Sequence, residues 1–186
     1  MSDETSQSSP DEQVEQTPDA HGEAVGASPT LHGAPLTTSC GDQVLHVDRS
    51  GYLDLVKALH DDGYVLCADL TAADYLTHPG RKDVPPGIAL ERFEVIVNLV
   101  DLVRRRRIRV RCQVPEDTPE LPSLWQLYPG TEAPEREVYD LFGIRFDGHP
   151  DLTRILLPED WVGHPLRKDY ESGRIPVQFK GAPSHR

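Results

Sequence analysis

Alternating apolar residues in the middle of the chain predict a β-hairpin. The first strand is marked by Phe93, Val95, Val97 and Leu99, and the second by Ile108, Val110, Cys112 and Val114. Because successive side chains of a strand point to opposite faces, each strand has one apolar and one more polar face. This regular alternation also specifies the register between the two strands.

Arginines cluster at the turn of this hairpin and along its second strand. Residues 104–106 lie where the chain must reverse, and Arg107, Arg109 and Arg111 have the solvent parity. Such a cluster can bind phosphates, but a solvated face or a contact with an acidic partner explains it better. The net charge of the chain is -12, which also argues against nucleic-acid binding.

Helical spacing predicts a short amphipathic helix over residues 51 to about 62. Ser50 can cap its N-terminus, and Gly63 can end it. The side chains predicted to face the core are Leu53, Val56, Leu59 and His60. Residues 64–70 then look extended, and residues 77–87, with their prolines and glycines, form a connection.

A second helix is predicted after the hairpin. Thr131 can cap it, and Gly143 can end it, with Val138, Leu141 and Phe142 on the buried face. Within this helix, Arg136 and Asp140 are four residues apart and of opposite charge. We therefore expect these two side chains to pair on the helix surface.

The acidic residues are unevenly placed along the chain. They number 31 against 19 basic residues, but residues 1–40 hold seven acids and no Lys or Arg, which leaves 24 acids against 19 bases. The first 35 or so residues have almost no large apolar side chains, so burial cannot offset the entropy of ordering them. We expect residues 1–40 to be a disordered acidic tail, either solvated or docked on a basic neighbour. Residues 41–170 are expected to form one domain, and residues 171–186 an extended C-terminal tail.

The chain carries few signs of a cofactor or membrane segment. Cys40, Cys67 and Cys112 are too far apart for the short spacings of zinc or iron–sulfur ligands. Glycine patterns for dinucleotides or phosphates and a nucleophile elbow are missing from the sequence. There is no signal-peptide pattern, and no stretch approaches the roughly 20 apolar residues that cross a bilayer. We therefore expect membrane association only through partners.

The most specific pattern lies at residues 135–170, which read EREVYDLFGIRFDGHPDLTRILLPEDWVGHPLRKDY. This stretch, called the signature segment below, resembles the pattern of the 30 kDa subunit of respiratory complex I, the proton-pumping NADH:quinone oxidoreductase. Residues 69–75, DLTAADY, resemble a second passage of the same family, and their Asp and Thr side chains are predicted to close turns on their own backbone. The resemblance covers roughly residues 45–180 and weakens at residues 133–134 and at Glu171.

The resemblance implies an α+β fold in which helices pack on a mixed β-sheet. It also implies a scaffold subunit, without a cofactor of its own, in the peripheral arm on the cytoplasmic side of the cell membrane. The assembled complex passes electrons from NADH through FMN and iron–sulfur clusters to a quinone and couples this respiratory electron transport to proton transport. The implied neighbours are the subunit that carries the terminal iron–sulfur cluster and the 49 kDa-type subunit.

Charged and aromatic residues of the signature segment are of the types enriched at protein interfaces. We therefore predict that they contact other subunits. The candidates are Glu135, Arg136, Glu137, Asp140, His149, Arg154, Trp161, His164, Arg167, Lys168, Asp169 and Tyr170. The two Gly-His-Pro tripeptides are predicted to be turns whose histidines form structural hydrogen bonds.

Two other hypotheses remain open. A related subunit of a membrane-bound nickel–iron hydrogenase or of formate hydrogenlyase would share this domain. An independent soluble hydrolase would use Glu137, Asp140 and His149. The hydrolase hypothesis requires these three side chains to converge on one pocket.

Overall fold

Six strands form one mixed sheet in the computed structural model, which describes residues 29–81 and 83–171. They are β1 (Thr30–Leu31), β2 (Ala34–Ser39), β3 (Asp42–Val47), β4 (Leu66–Asp74), β5 (Phe93–Asp101) and β6 (Arg106–Val114). Their order is β1-β2-β3-β6-β5-β4, and β3 runs parallel to β6 whereas the other neighbours are antiparallel. The other elements are helices α1 (Tyr52–Asp61) and α2 (Glu132–Phe142), a short 3₁₀ helix (Pro129–Thr131) and the short parallel strands β7 (Glu120–Pro122) and β8 (Arg145–Asp147). The predicted α+β fold with a mixed sheet is confirmed.

The predicted hairpin of β5 and β6 forms in the register that its apolar residues require. Phe93 lies opposite Val114, and Leu99 lies opposite Ile108. The eight alternating apolar side chains of the two strands are at most 1% exposed. One face of the hairpin therefore forms the centre of the hydrophobic core.

Helix α1 packs on the core through a face that differs from the predicted one. Its buried residues are Tyr52, Leu55, Val56 and Leu59, spaced as i, i+3, i+4 and i+7, whereas Leu53 and His60 are half-buried. The predicted cap is also wrong, because the Ser50 hydroxyl donates to Asp48 Oδ1. The same oxygen accepts the Gly51 N–H at 2.9 Å.

Residues 69–75, predicted to form turns, instead continue strand β4 as far as Asp74. Leu70 and Ala72 are buried, because the period of the strand places them on the core face. At the end of the strand the predicted turn chemistry does operate. Asp74 Oδ1 accepts the Leu76 N–H at 2.9 Å.

Helix α2 ends where predicted. Gly143 follows its last residue in the left-handed conformation, with φ 74°. Thr131 is the N-cap residue but makes no side-chain cap hydrogen bond. Val138 and Phe142 are buried as predicted, and Leu141 is half-buried.

The N-terminal boundary of the domain differs from the prediction. Strands β1 and β2 lie at residues 30–39, inside the stretch predicted to be a disordered tail. They form because β2 pairs with β3 over four residue pairs and Ala34 reaches the core. The remaining tail, residues 1–28, and the predicted C-terminal tail beyond Glu171 lie outside the described residues.

The second face of the sheet carries a buried polar cluster. Glu94 is fully buried and accepts hydrogen bonds from Arg111 Nε and Gln113 Nε2, both at 2.6 Å. Arg81, in the 77–87 connection, donates to Gln113. Arg111, predicted to be solvated, is therefore only 12% exposed, because this connection supplies further partners for it.

His46 is a fully buried histidine on strand β3. Its Nε2 is 2.8 Å from the Thr37 hydroxyl, whereas its Nδ1 has no hydrogen-bond partner within the described residues. Burial, reinforced by the nearby Arg111 guanidinium, lowers the pKa of His46 to about 4. The imidazole is therefore neutral in the folded protein at physiological pH.

We expect the free energy of unfolding to fall as the pH drops from 6.5 towards 4. In this range the unfolded chain binds a proton at His46 and the folded protein does not, so protonation favours unfolding. The loss from this group is on the order of 2–3 kcal/mol. Urea unfolding across this pH range measures the loss, and His46→Gln should flatten the profile. His78→Gln, at an exposed histidine, is the matched control. Equal slopes for the His46→Gln variant and the parent would contradict the assignment.

Candidate functional site

The carboxylate of Asp140, on helix α2, fixes the chain that follows strand β8. Its Oδ2 accepts the backbone N–H groups of Ile155, Leu156 and Leu157 at 2.8–3.1 Å. Its Oδ1 accepts Arg154 NH1 at 2.6 Å. Successive N–H groups that point at one oxygen form an anion-binding concavity. One side chain therefore positions a stretch that has no helix or strand of its own.

Asp140 is ionised although its side chain is fully buried. Burial raises the pKa of Asp140, but the Leu157 N–H, the Arg154 guanidinium and the other two amides outweigh burial and hold this pKa below its usual value. A buried carboxylate can keep its charge when it is paired and fully hydrogen-bonded.

Arg136 and Arg154 bind backbone carbonyls of the signature segment. Arg136 donates to Thr153 O at 3.1 Å and to Arg154 O at 3.0 Å. The predicted surface pair of Arg136 with Asp140 is therefore wrong. Arg154 NH2 donates to Trp161 O at 3.0 Å and to the carbonyl of residue 163 at 3.1 Å. These bonds satisfy backbone carbonyls that have no partner in a helix or a β-sheet.

Glu135 is a second fully buried carboxylate of helix α2. It accepts hydrogen bonds from the Ser123 hydroxyl at 2.6 Å, the Leu124 N–H at 2.8 Å and the Thr131 hydroxyl at 3.0 Å. Burial raises the pKa of Glu135, and these three donors partly oppose the rise. The side chain ties the turn that precedes the helix to the helix itself.

Both Gly-His-Pro histidines make structural hydrogen bonds, as predicted. His149 Nδ1 accepts the Asp151 N–H at 3.1 Å, so its Nε2–H donates to Glu132 O at 3.0 Å. His164 Nδ1–H donates to Asp140 O at 2.9 Å. Burial lowers the pKa of His164, which keeps this ring neutral.

The signature segment packs closely against the C-terminal end of helix α2. A Cβ atom at Gly143 would lie 2.6 Å from the His164 ring, so this position requires glycine for space as well as for its φ of 74°. Arg167 Nε donates to Phe142 O at 2.6 Å, and its guanidinium lies 5.1 Å from the centroid of the Phe93 ring. Arg167 thus joins the helix end to the core.

An ion cluster around the buried Arg92 fastens the end of the signature segment to the sheet. Arg92, whose side chain is 6% exposed, makes two hydrogen bonds to Asp74 and two to Asp169, at 2.8 and 3.1 Å in each case. The Lys168 N–H also donates to Asp74 at 2.8 Å. Burial raises the pKa of Asp74, but Arg92 and the Lys168 amide outweigh burial and lower it. Arg92 likewise lowers the pKa of Asp169.

Arg92 and Asp74 were not among the residues predicted from the sequence. Asp74 lies in the 69–75 passage, so its place in that motif was the available signal. Arg92 precedes a strand and belongs to neither of the two motifs. Its role depends on partners 18 and 77 residues away along the chain.

These inward contacts leave apolar side chains of the signature segment facing outward. The exposed ones are Ile155, Leu156, Val162 and Leu166, which are 41, 60, 86 and 46% exposed. Trp161 and Tyr170 are half-buried, and the ring of Tyr170 packs against Gly163. Exposed apolar side chains grouped in one segment are typical of a surface that binds another protein.

The site residues of the hydrolase hypothesis do not converge. Glu137 is exposed, Asp140 is saturated by its own donors, and His149 is engaged with backbone groups. No hydrogen bond or ion pair joins these three within the described residues.

Over the same described ranges, no group of three or more His, Cys, Asp or Glu side chains could hold a metal ion. In residues 29–81 and 83–171, no helix is both long and apolar enough to span a membrane.

Comparison with known proteins identifies the family. The model of the family described as the respiratory-chain NADH dehydrogenase, 30 kDa subunit, matches residues 45–175. The chain belongs to this family. The resemblance of the signature segment is thereby confirmed.

Curated relatives of this 30 kDa subunit family member are named as subunits of NADH-quinone oxidoreductase. The protein from Saccharopolyspora erythraea is 41% identical over 150 residues, which are 79% of this chain and 56% of the relative. The protein from Mycolicibacterium paratuberculosis is 42% identical over 141 residues, 74% of this chain and 56% of the relative. The chain thus spans a little over half the length of these relatives.

Two solved structures are similar to this family member. A trypsin-resistant fragment (1-134) of Nqo5 matches with a TM-score of 0.57 and 36% identity, over 64% of this chain and 90% of the fragment. A chain of the membrane-bound sulfane sulfur reductase, an archaeal respiratory membrane complex, matches with a TM-score of 0.63 and 19% identity, over 82% of this chain and 90% of that one. The second likeness shows the fold alone.

Replacing Asp140 with Asn removes the charge that four donors share. We expect Asp140→Asn to lower the free energy of unfolding by about 3–5 kcal/mol, because a buried arginine is left without its counter-charge. The amides of residues 155–157 should also lose protection from hydrogen exchange. Glu137→Gln, at an exposed carboxylate on the same helix, is the control. Urea unfolding and hydrogen exchange measure both effects, and unchanged protection at residues 155–157 would show that Asp140 does not hold the segment.

Proposed function

We propose that this chain is a cofactor-free scaffold subunit in the peripheral arm of a proton-translocating NADH:quinone oxidoreductase. The observation that supports this role most directly is that charged side chains of the signature segment point inward. Asp140, Arg154 and Arg167 are bonded to the chain's own backbone and core, and they position a segment whose apolar side chains face outward. Such a segment is suited to binding a neighbouring subunit.

The docking surface that we propose is the outward side of the signature segment. Leu156 and Val162 are exposed on a stretch that Asp140 already holds in place, so binding would cost little further ordering entropy. Lys168 and Asp169 are exposed nearby in the same segment and would lie at a polar rim.

The twelve predicted interface residues differ in exposure: three are exposed, two are fully buried and the other seven are half-buried. The side chains with ample exposed surface for direct contact are Glu137, Lys168 and Asp169. Glu135 and Asp140 are fully buried, so their contribution to an interface is to hold the backbone that forms it. That all twelve serve the contact with neighbouring subunits remains a prediction.

The proposed neighbours are the subunit with the terminal iron–sulfur cluster and the 49 kDa-type subunit, on the cytoplasmic side of the membrane. The complex would transfer electrons from NADH through FMN and iron–sulfur clusters to a quinone and couple this transfer to proton translocation. This chain would reach the membrane only through the complex and would not bind nucleic acid.

A subunit of a nickel–iron hydrogenase or of formate hydrogenlyase is the alternative assignment. The likeness to a chain of an archaeal respiratory membrane complex shows that the fold is not confined to one enzyme. The relatives at 41 and 42% identity favour NADH:quinone oxidoreductase. The proteins that co-purify with the chain distinguish the two.

We expect the double substitution Leu156→Asp and Val162→Asp to prevent assembly without unfolding the chain. Both side chains are exposed, so their change should leave the thermal midpoint nearly unaltered, while charges in an apolar interface cost binding energy. A mild-detergent pull-down from native membranes should recover about tenfold less of the partner subunits, a loss of about 1.4 kcal/mol or more. The NADH:quinone activity of the eluate should fall in parallel.

Val65→Asp is the matched control, because Val65 is exposed to a similar degree but precedes strand β4, far along the chain from the signature segment. It should assemble like the parent. Normal recovery with the double variant would place the docking surface elsewhere. Recovery of nickel–iron subunits by the parent chain would support the alternative assignment.

A further inference from the structure

The tip of the β5–β6 hairpin, residues 102–107, combines exposed apolar and cationic side chains. Leu102 is 61% exposed and Val103 is 90% exposed. Arg104 and Arg107 have side chains that are 60 and 73% exposed. Arg105, also exposed, makes no hydrogen bond or ion pair within the described part of the chain. We call residues 102–107 the arginine tip.

Charge on the arginine tip is only partly neutralised. Asp101 accepts the Arg104 N–H at 2.9 Å and Arg106 NH2 at 2.8 Å, which fixes the turn. Arg107 approaches the carboxylate of Asp42 no closer than 3.7 Å, and Arg105 has no counter-charge among residues 29–81 and 83–171. The tip therefore keeps a positive field beside an exposed valine.

The structure and the charge pattern indicate that a segment of the same chain covers the arginine tip. We propose that residues 1–28, called the acidic segment, fold back onto the arginine tip and cover it. The acidic segment holds all seven acids of the first forty residues and no Lys or Arg. This inference does not depend on the proposed function.

The first described residues already lie close to the arginine tip. His32 Nε2 is 2.6 Å from Asp62 Oδ2, and Arg104 NH1 donates to the carbonyl oxygen of Asp62 at 2.9 Å. A single residue thus connects the start of the described chain to the tip. Glu23, the nearest acid of the segment, is six residues before Pro29. Six residues span up to roughly 20 Å, so the acids can reach the tip.

Covalent linkage favours this occupant over a separate acidic molecule. A tethered segment acts at an effective concentration on the order of millimolar and avoids the entropic cost of association. Each exposed ion pair contributes only about 0–1 kcal/mol, so the contact depends on several pairs and weakens with salt. While it lasts, the acidic segment shields the tip from other anionic surfaces.

Nuclear magnetic resonance of the full chain tests the proposal. The comparison protein carries amides in place of the seven acids, as Asp3→Asn, Glu4→Gln, Asp11→Asn, Glu12→Gln, Glu15→Gln, Asp19→Asn and Glu23→Gln. At low salt, the backbone and arginine Nε–H resonances of residues 102–107 should differ between the two proteins. The differences should vanish at roughly 0.5 M NaCl, where charges are screened within a few ångströms.

A charge reversal at the tip supplies the reciprocal test. Arg105→Glu with Arg107→Glu should shift the resonances of residues 1–28, whereas Arg145→Glu, at an exposed arginine on strand β8, should not. Identical tip resonances in the parent and the seven-amide protein at low salt would overturn the proposal.

Discussion

The position of the whole signature segment depends on the buried carboxylate of Asp140. A stretch without regular secondary structure must still satisfy its backbone donors and acceptors. Asp140 accepts three consecutive N–H groups and one guanidinium, and Arg154 passes the restraint on to carbonyls up to nine residues further along. Because the Asp140 carboxylate is fully withdrawn from water, the arrangement depends on its charge and on these donors.

Because of this constraint, several charged side chains are largely buried and apolar side chains of the segment are exposed, which is the reverse of the usual arrangement. Charged side chains that hold the segment, such as Arg92 and Arg154, are directed inward and are 6 and 15% exposed. Leu156 and Val162, on the backbone that these side chains hold, face solvent. A loop that is held at many points and has apolar side chains on its outer side is the kind of surface that we propose binds a neighbouring subunit.

The parts of the structure that follow a local rule could be predicted from the sequence, and the parts that rest on distant partners could not. The β5–β6 hairpin follows its period of two, and Gly143 ends helix α2 because of its backbone freedom. Helical spacing, by contrast, pairs Asp140 four residues back with Arg136, whereas its partner in the structure is 14 residues ahead. Strands β1 and β2 have few apolar residues and form through pairing with β3.

The two ends of strand β5 differ in how their charges are compensated. At Phe93 the neighbouring Arg92 is buried among three carboxylates, and this cluster fastens the signature segment, with its exposed apolar side chains, to the sheet. At Asp101 the strand leads into the arginine tip, where positive charge remains in excess. Contacts that bury apolar area are not weakened by electrostatic screening and favour permanent association, whereas screened ion pairs form and break readily. The same domain therefore has one end suited to a lasting assembly and another suited to a reversible, salt-dependent contact.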